Sequence, residues 1–426
     1  MTANDRWLLP EGMEELLPLE AAQAEQVRRN VLDLFRSWGY QLVMPPLVEF
    51  TDSLLIGLGS DIELQSFRLT DQLSGKPMAI RADITPQAAR IDAHSLRASG
   101  INRLCYAGSV MHTRPKSMLG SRCPIQAGAE LYGDASGEAD IEIISLMLDM
   151  LSAVGKQGAE TQGTAESPRF TLDLGHVGIY RAVVVAMRAA QPSLGDNALD
   201  QINDAMQRKS SADLKALTSQ HFGSTALQDA LCHLPLLCGN KSVLEQARKL
   251  MPALCMPSTQ AEQDFLQALA ELEQAADVVA ARFDNVDIYF DLTELRGFSY
   301  HTGLVFAAYT AGHGTALANG GRYDEVGSVF GAARPATGFN ADIKALIRCL
   351  CASPGDAGTA QDMLACANAI AAPIDNDLAL WAAIRKLRSN GEVVVSVPET
   401  IANKYQRKLV ARQGAWTVVA NAAQAT

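Results

Sequence analysis

Val27, Val31, Leu34, Phe35 and Trp38 recur at three- and four-residue intervals. That spacing predicts an amphipathic helix over 19–38, with Gly39 as its C-terminal cap. Residues 40–44 then read as a strand that stops at Pro45-Pro46, because proline has no N–H to give a ladder. Two strand-like runs, 67–70 and 77–81, bracket Ser74-Gly75-Lys76 and predict a hairpin. Further strands are expected at 104–110 and 125–132, around a loop at 113–123 marked by Pro115 and Gly120. Ile141, Ile144, Leu148 and Leu151 mark another amphipathic helix, and the small, polar residues 155–168 read as a mobile connection. Phe170, Leu172 and Leu174 alternate as a strand. Residues 176–282 look almost wholly helical, and sheet pattern resumes at 286–290 and 303–309. After Gly338 a helix is expected to about Cys351.

These elements describe an α+β chain: an antiparallel sheet with flanking helices, a helical insertion and a short C-terminal α/β appendix. The expected boundaries are 1–175 for the first part of the sheet domain, 176–282 for the insertion and 283–352 for the second part. A linker at 353–365 and a small domain at 366–426 complete the chain.

Composition narrows the classes. The 426 residues are 48% hydrophobic and 19% charged, which is globular rather than disordered or fibrous. A net charge of -11 repels phosphate backbones, so nucleic acid is an unlikely partner of the chain as a whole. The tail is mildly basic, with seven Lys/Arg against four Asp/Glu over 366–426. No apolar run reaches the roughly 18 residues a spanning helix needs, and the acidic N-terminus is unlike a signal peptide. A cytoplasmic chain with no membrane partner is expected. The eight cysteines form no C-x-x-C pair and the seven histidines no H-x-x-x-H, so neither a metal site nor a cofactor is expected.

No phosphate loop, nucleophile elbow or dinucleotide fingerprint is present. Gly320-Gly321 reads as a turn before a charged strand. Three polar clusters interrupt segments that should otherwise be sheet: 81–87, 126–130 and 296–303. Carboxylates on a buried sheet face are costly unless a cation meets them. Asp83, Thr85, Gln126 and Glu130 together suit an ammonium group, Arg296 suits a carboxylate, and Tyr300 with His301 could close over a ring. That set describes a pocket for a zwitterionic amino acid, although from spacing alone each residue could equally face solvent or join a structural ion pair.

In order and from Leu9 to Ile347, these clusters resemble the catalytic domain of class II histidyl-tRNA synthetases. The segment from Gly39-Tyr40 to Pro45-Pro46 looks like that family's dimer-building motif 1. Gln126-x-Gly128-x-Glu130 is similar to the end of motif 2, and Arg296-Gly297-x-x-Tyr300-x-Thr302-Gly303 to the histidine-binding segment. The resemblance implies that Asp83 and Thr85 hold a substrate amino group. It places Gln126 and Glu130 on amino acid and imidazole, and Arg296 beside the carboxylate.

The departures are in the ATP site. Where the synthetases carry the motif 2 arginine and glutamate, this chain has Met111 and Thr113; where motif 3 ends in an arginine, it has Ala345, with Asp342 added nearby. Losing one positive group aimed at developing charge typically costs about 100- to 1000-fold in rate. The tail is also shorter than a synthetase's anticodon-binding domain. A synthetase-like body without its ATP clamp resembles the regulatory subunits of ATP phosphoribosyltransferase, and Asp173-Leu174-Gly175-His176-Val177-Gly178 looks like a segment of that family. The resemblance implies a chain without catalysis of its own. It implies a hetero-octamer with a short-form catalytic subunit, a dimer through the motif 1 region, and histidine as feedback effector. An active histidyl-tRNA synthetase and a stand-alone amino-acid-binding module remain the alternatives.

Overall fold

The computed structural model describes residues 8–54, 64–97, 99–115, 120–162, 168–223, 225–255, 258–294, 300–327, 333–351, 369–412 and 414–420. The chain divides into two compact units, Met1–Glu14 with Ala24–Ala352 and Glu15–Gln23 with Ser353–Thr426. The expected linker at 353–365 lies outside the described residues.

In the first unit the strands are β1 (Gln41–Leu42), β2 (Val48–Phe50), β3 (Phe67–Thr70), β4 (Pro77–Ile80), β5 (Asn102–Ser109) and β6 (Ile125–Tyr132). They continue with β7 (Phe170–His176), β8 (Cys238–Gly239), β9 (Val286–Asp291), β10 (Leu304–Thr310), β11 (Ala318–Arg322) and β12 (Ala336–Asp342). Nine of them form one sheet in the order β1-β5-β6-β12-β11-β10-β7-β9-β8, and β2-β4-β3 form a small second one. From β5 to β7 every neighbouring pair is antiparallel. The pairs β1–β5 and β7–β9 are parallel, so the sheet departs from the uniform antiparallel pattern at both flanks.

Helix α1 (Pro18–Ser37) buries Ala24, Val27, Val31 and Phe35, the stripe its sequence spacing marks. Phe35 sets its ring edge against Phe339 of β12, with centroids 5.8 Å apart. Helix α2 (Thr85–Arg90) opens on Pro86, whose missing N–H costs nothing in a first turn. Helix α3 (Gly137–Gln162) buries Ile143, Ile144, Met147, Leu148, Met150 and Leu151, because it is covered on more than one side. The sheet lies against one part of it, and two later helices against others.

The insertion holds α4 (Val177–Ala190), α5 (Asp196–Gln207), α6 (Ser211–Phe222), α7 (Ala226–His233), α8 (Ser242–Cys255) and α9 (Thr259–Arg282), with the short β8 among them. His176 caps α4 with an imidazole: Nδ1 accepts from the Gly178 N–H at 3.0 Å, and Nε2 lies 2.8 Å from Glu271. The first unit closes with α10 (Ile343–Leu350).

Three local expectations need correction. The chain is helical through Gln162 rather than mobile from 155, because the small residues there serve packing. A Cβ on Gly158 would stand 2.0 Å from the Leu350 carbonyl, so glycine lets two backbones meet. Residues 338–342 are strand, and the helix begins only at Ile343, where the Asp342 side chain accepts from the Lys344 N–H. Gly320 and Gly321 lie inside β11, not in a turn.

The second unit carries β13 (Ile370–Ala372), α11 (Leu378–Ser389), β14 (Val394–Ser396), β15 (Arg407–Arg412) and β16 (Ala415–Ala420). Its sheet runs β14-β13-β15-β16, so the expected α/β appendix ends in a β15–β16 hairpin. Asp377 caps α11 and accepts from the Trp416 indole N–H at 2.8 Å. Among the described residues, no helix is long and apolar enough to cross a membrane, and no three His, Cys, Asp or Glu side chains group as metal ligands do.

Candidate functional site

Strand alternation on β6 sends Ala127, Ala129 and Leu131 into the core and leaves Gln126, Gly128 and Glu130 on the other face. Register then builds the site. Tyr106 of β5 stands opposite Gly128, and Gly338 of β12 stands opposite Glu130. Both glycines are needed for space: a Cβ on Gly128 would meet the Tyr106 hydroxyl at 2.5 Å, and one on Gly338 would meet Glu130 Oε2 at 1.6 Å.

Glu130 is 1% exposed. Its Oε1 accepts from the Tyr106 hydroxyl at 2.8 Å, and Oε2 accepts from the Tyr323 hydroxyl. Tyr323 in turn stands 3.5 Å from the Tyr132 hydroxyl. Burial pushes the Glu130 carboxyl up to about 8; the tyrosine hydrogen bonds oppose that rise and the nearby Asp83 charge adds to it. Burial likewise drives the hydroxyls of Tyr106, Tyr132 and Tyr323 well above the ordinary tyrosine range.

The segment before α2 meets β6 from the side. Gln126 donates to Asp83 Oδ1 at 2.8 Å and accepts from the Ile84 N–H at 2.8 Å, while Thr85 N–H donates to Asp83 Oδ1 at 2.9 Å. The Thr85 hydroxyl lies 2.9 Å from the Tyr106 hydroxyl. Asp83, Thr85, Tyr106, Gln126, Glu130 and Tyr323 are therefore one hydrogen-bonded network. Arg81 secures the segment: buried, it donates to the carbonyls of Ser109 at 2.9 Å and Pro45 at 2.8 Å.

Tyr300 stacks on Tyr323 with centroids 5.3 Å apart and planes at 28°, and His301 lies edge-on to Tyr300 at 5.4 Å. The Tyr300 hydroxyl is buried and has no hydrogen-bond partner among the described residues. Burial and the charges of Glu130 and Asp83 hold it well above the usual tyrosine range, which places it electrostatically with that network. Arg296 lies outside the described residues.

Beside Gln126 opens a cleft of about 860 Å³. His112, Asn319, Asn340, Asp342, Ala345 and Arg348 are among the residues that line it. Met111 and Thr113 are not; Thr113 instead donates through its hydroxyl to the Leu64 carbonyl at 2.8 Å. The cleft's charges face one another. Glu14 lies 3.4 Å from the Lys344 ammonium and 3.2 Å from the Arg348 guanidinium. Burial works to raise the Glu14 carboxyl, but a hydrogen bond from Ser121 and the two cations leave it below the usual range. Asp342 is raised by burial and accepts from the backbone N–H groups of Lys344 and Ile125.

Comparison with known proteins fits this geometry. The histidyl-tRNA synthetase family model matches residues 12–346, and the ATP phosphoribosyltransferase subunit HisZ C-terminal domain model matches 367–419. An ATP phosphoribosyltransferase regulatory subunit from Pseudomonas paraeruginosa is 47% identical over 98% of this chain and 99% of its own. The chain belongs to the ATP phosphoribosyltransferase regulatory subunit family. A solved regulatory subunit/histidyl-tRNA synthetase from Bacillus halodurans superposes with a TM-score of 0.74 at 26% identity, covering 94% of this chain and 97% of that one. A chain of an ATP phosphoribosyl transferase (HisG:HisZ) complex from Thermotoga maritima shares the fold at a TM-score of 0.52 and 14% identity, covering 74% and 96%.

A regulatory subunit of this family uses the synthetase-like body without catalysis of its own. Sequence spacing named Asp83, Thr85, Gln126 and Glu130, which the structure brings together. It missed Tyr106, Tyr132 and Tyr323. The signal for Tyr106 was a glycine in mid-strand, Gly128, which marks close approach by something large. Tyr323 follows β11 and carries no such mark.

Proposed function

We propose that the regulatory subunit binds free histidine in the Asp83–Gln126–Glu130–Tyr300 cluster and transmits its concentration to a separate short-form catalytic subunit as feedback inhibition. The observation that carries this reading is that, among the described residues, a buried carboxyl has no cation and a buried tyrosine hydroxyl beside it has no partner. Buried polar groups left open are costly unless a ligand completes them. Asp83 and Glu130 supply negative charge for the amino group and the imidazole, and Arg296 supplies the group for the carboxylate through a charge-assisted hydrogen bond. Coupling then requires only that histidine bind one state of the complex better than the other; 1–3 kcal/mol corresponds to about a 5- to 150-fold change.

The Thermotoga maritima relative was solved as a HisG:HisZ complex, which supports a hetero-oligomer, and we take the hetero-octamer as the assembly. The motif 1 edge is the dimer surface in this reading. Leu42, Met44, Leu47 and Phe50 are all exposed there, Met44 at 79%. The cytoplasm is the compartment in which its partner and effector meet.

The test is the histidine inhibition curve of the reconstituted complex. Asp83→Asn should move it to higher histidine while stimulation of the catalytic subunit persists. An unmoved curve places the regulatory site elsewhere.

A further inference from the structure

Among the described residues, the Glu130 carboxyl meets no cation from any element around it. Asp83 faces it from the segment before α2, Thr85 from the first residue of that helix, Tyr106 from β5, Tyr132 from its own strand, Tyr323 from just after β11 and Tyr300 from the segment before β10. Gly338 of β12 offers backbone alone. The guanidinium groups of the neighbouring elements are committed elsewhere: Arg103 to Glu142, Arg322 to Asp140 and Arg334 to Asp92.

The hydroxyls serve either protonation state. When Glu130 is ionised, Tyr323 donates to Oε2. When Glu130 is protonated, it donates to the Tyr323 oxygen, and the Tyr323 proton turns toward the Tyr132 hydroxyl 3.5 Å away. In both states Tyr106 donates to Oε1. The network is thus a proton store that stays hydrogen-bonded whether full or empty.

We propose that Glu130 selects the effector's side chain by handing it a proton: a neutral imidazole enters, and the buried carboxylic acid becomes a carboxylate facing an imidazolium. This rests on the histidine reading above. The Glu130 O–H bond breaks, an imidazole N–H bond forms, and the pair keeps its single proton and zero net charge. Because burial holds the carboxyl at about 8 while imidazole titrates near about 6.5, the free partners hold one proton between them across the neutral range. An amide side chain is too weak a base to take that proton. An ammonium or guanidinium arrives with its own, so the Glu130 proton must leave to solvent, a factor of about ten in affinity for each pH unit below the carboxyl's own value.

The experiment is calorimetric titration of histidine into the full chain in two buffers of different ionisation enthalpy. For the wild type, binding at about pH 7 should exchange close to no protons at this pair. At about pH 9 it should take up about one proton more than E130Q does, since the amino group's contribution is common to both. Should E130Q no longer bind, Tyr132→Phe decides. It removes the acceptor that supports protonated Glu130, so the upper pH limit of tight histidine binding should fall. Equal proton counts for wild type and E130Q, or an unmoved limit in Tyr132→Phe, overturn the proposal while leaving histidine binding intact. No histidine heat at any pH instead removes the pocket reading on which it stands.

Discussion

The Glu130 cluster and the neighbouring cleft share Gln126 yet treat charge in opposite ways. Around Glu130 a buried carboxyl is held by neutral hydroxyls, and a tyrosine hydroxyl beside it is left open. At the cleft, Glu14 answers Arg348 and the buried Lys344 behind it, and Asp342 is turned to two backbone N–H groups. Among the described residues, one region leaves buried polar groups open and the other pairs its charges. Charged groups that are already paired offer little to a triphosphate, because binding would first have to break the existing pairs. A cleft of about 860 Å³ is therefore room without grip.

That contrast can be broken most severely at Gly338. A Cβ there would stand 1.6 Å from Glu130 Oε2, inside a backbone that pairs on both sides. Gly338→Ala should lower stability by about 3 kcal/mol in urea unfolding, at the upper end for overpacking, and abolish histidine binding. Wild-type stability and affinity would mean that the carboxyl can move aside.

Glu130→Gln keeps the shape and removes the charge. Histidine affinity should fall by about 10- to 100-fold, the range of a charged hydrogen bond, read by calorimetry at neutral pH. Tyr323→Phe takes away one donor from the same carboxyl and should cost about 1 kcal/mol of stability.

A gentler probe is pH. Glu130 binds its proton up to about 8 in the folded chain, against an ordinary value of 4.5. Between those values the unfolded chain is ionised and the folded chain is protonated, so the folded state holds more protons and its stability falls as pH rises. The slope from this group is at most about 1.4 kcal/mol per pH unit, vanishes above about pH 8, and should be missing in Glu130→Gln. Unfolding curves of the two proteins at matched pH check it; parallel pH profiles would contradict it.

The smallest effect belongs to the cleft. Arg348→Ala removes a half-exposed partner of Glu14 and should change stability by about 0.5 kcal/mol, with histidine affinity unchanged. A large loss of histidine affinity would mean that the two regions are one site.

Much of this was legible in the chain because periodicity is a local property. The strand 125–132 and its alternation, the helix ending at Ser37 and the hairpin around Gly75 follow from spacing alone. The grouping of Asp83 with Gln126 and Glu130 came from residue type on buried strands. Relations set by register were not legible: that Gly338 faces Glu130, or that Tyr106 crosses Gly128, depends on which strands pair and how. Asp342 read as a charge added against nucleotide, yet its oxygen caps a helix, since nothing in a sequence says which backbone N–H a carboxylate will meet. The helical run to Gln162 was hidden for a similar reason. Its glycines looked like a loop, yet Gly155 lies against Pro168 and Gly158 against the Leu350 backbone.

The difference between the two regions is tested most directly by titrating the same full-length chain first with histidine and then with magnesium-ATP in a calorimeter. A saturable histidine isotherm followed by no heat from the nucleotide is the predicted result. Saturable nucleotide binding in a chain silent to histidine would contradict it.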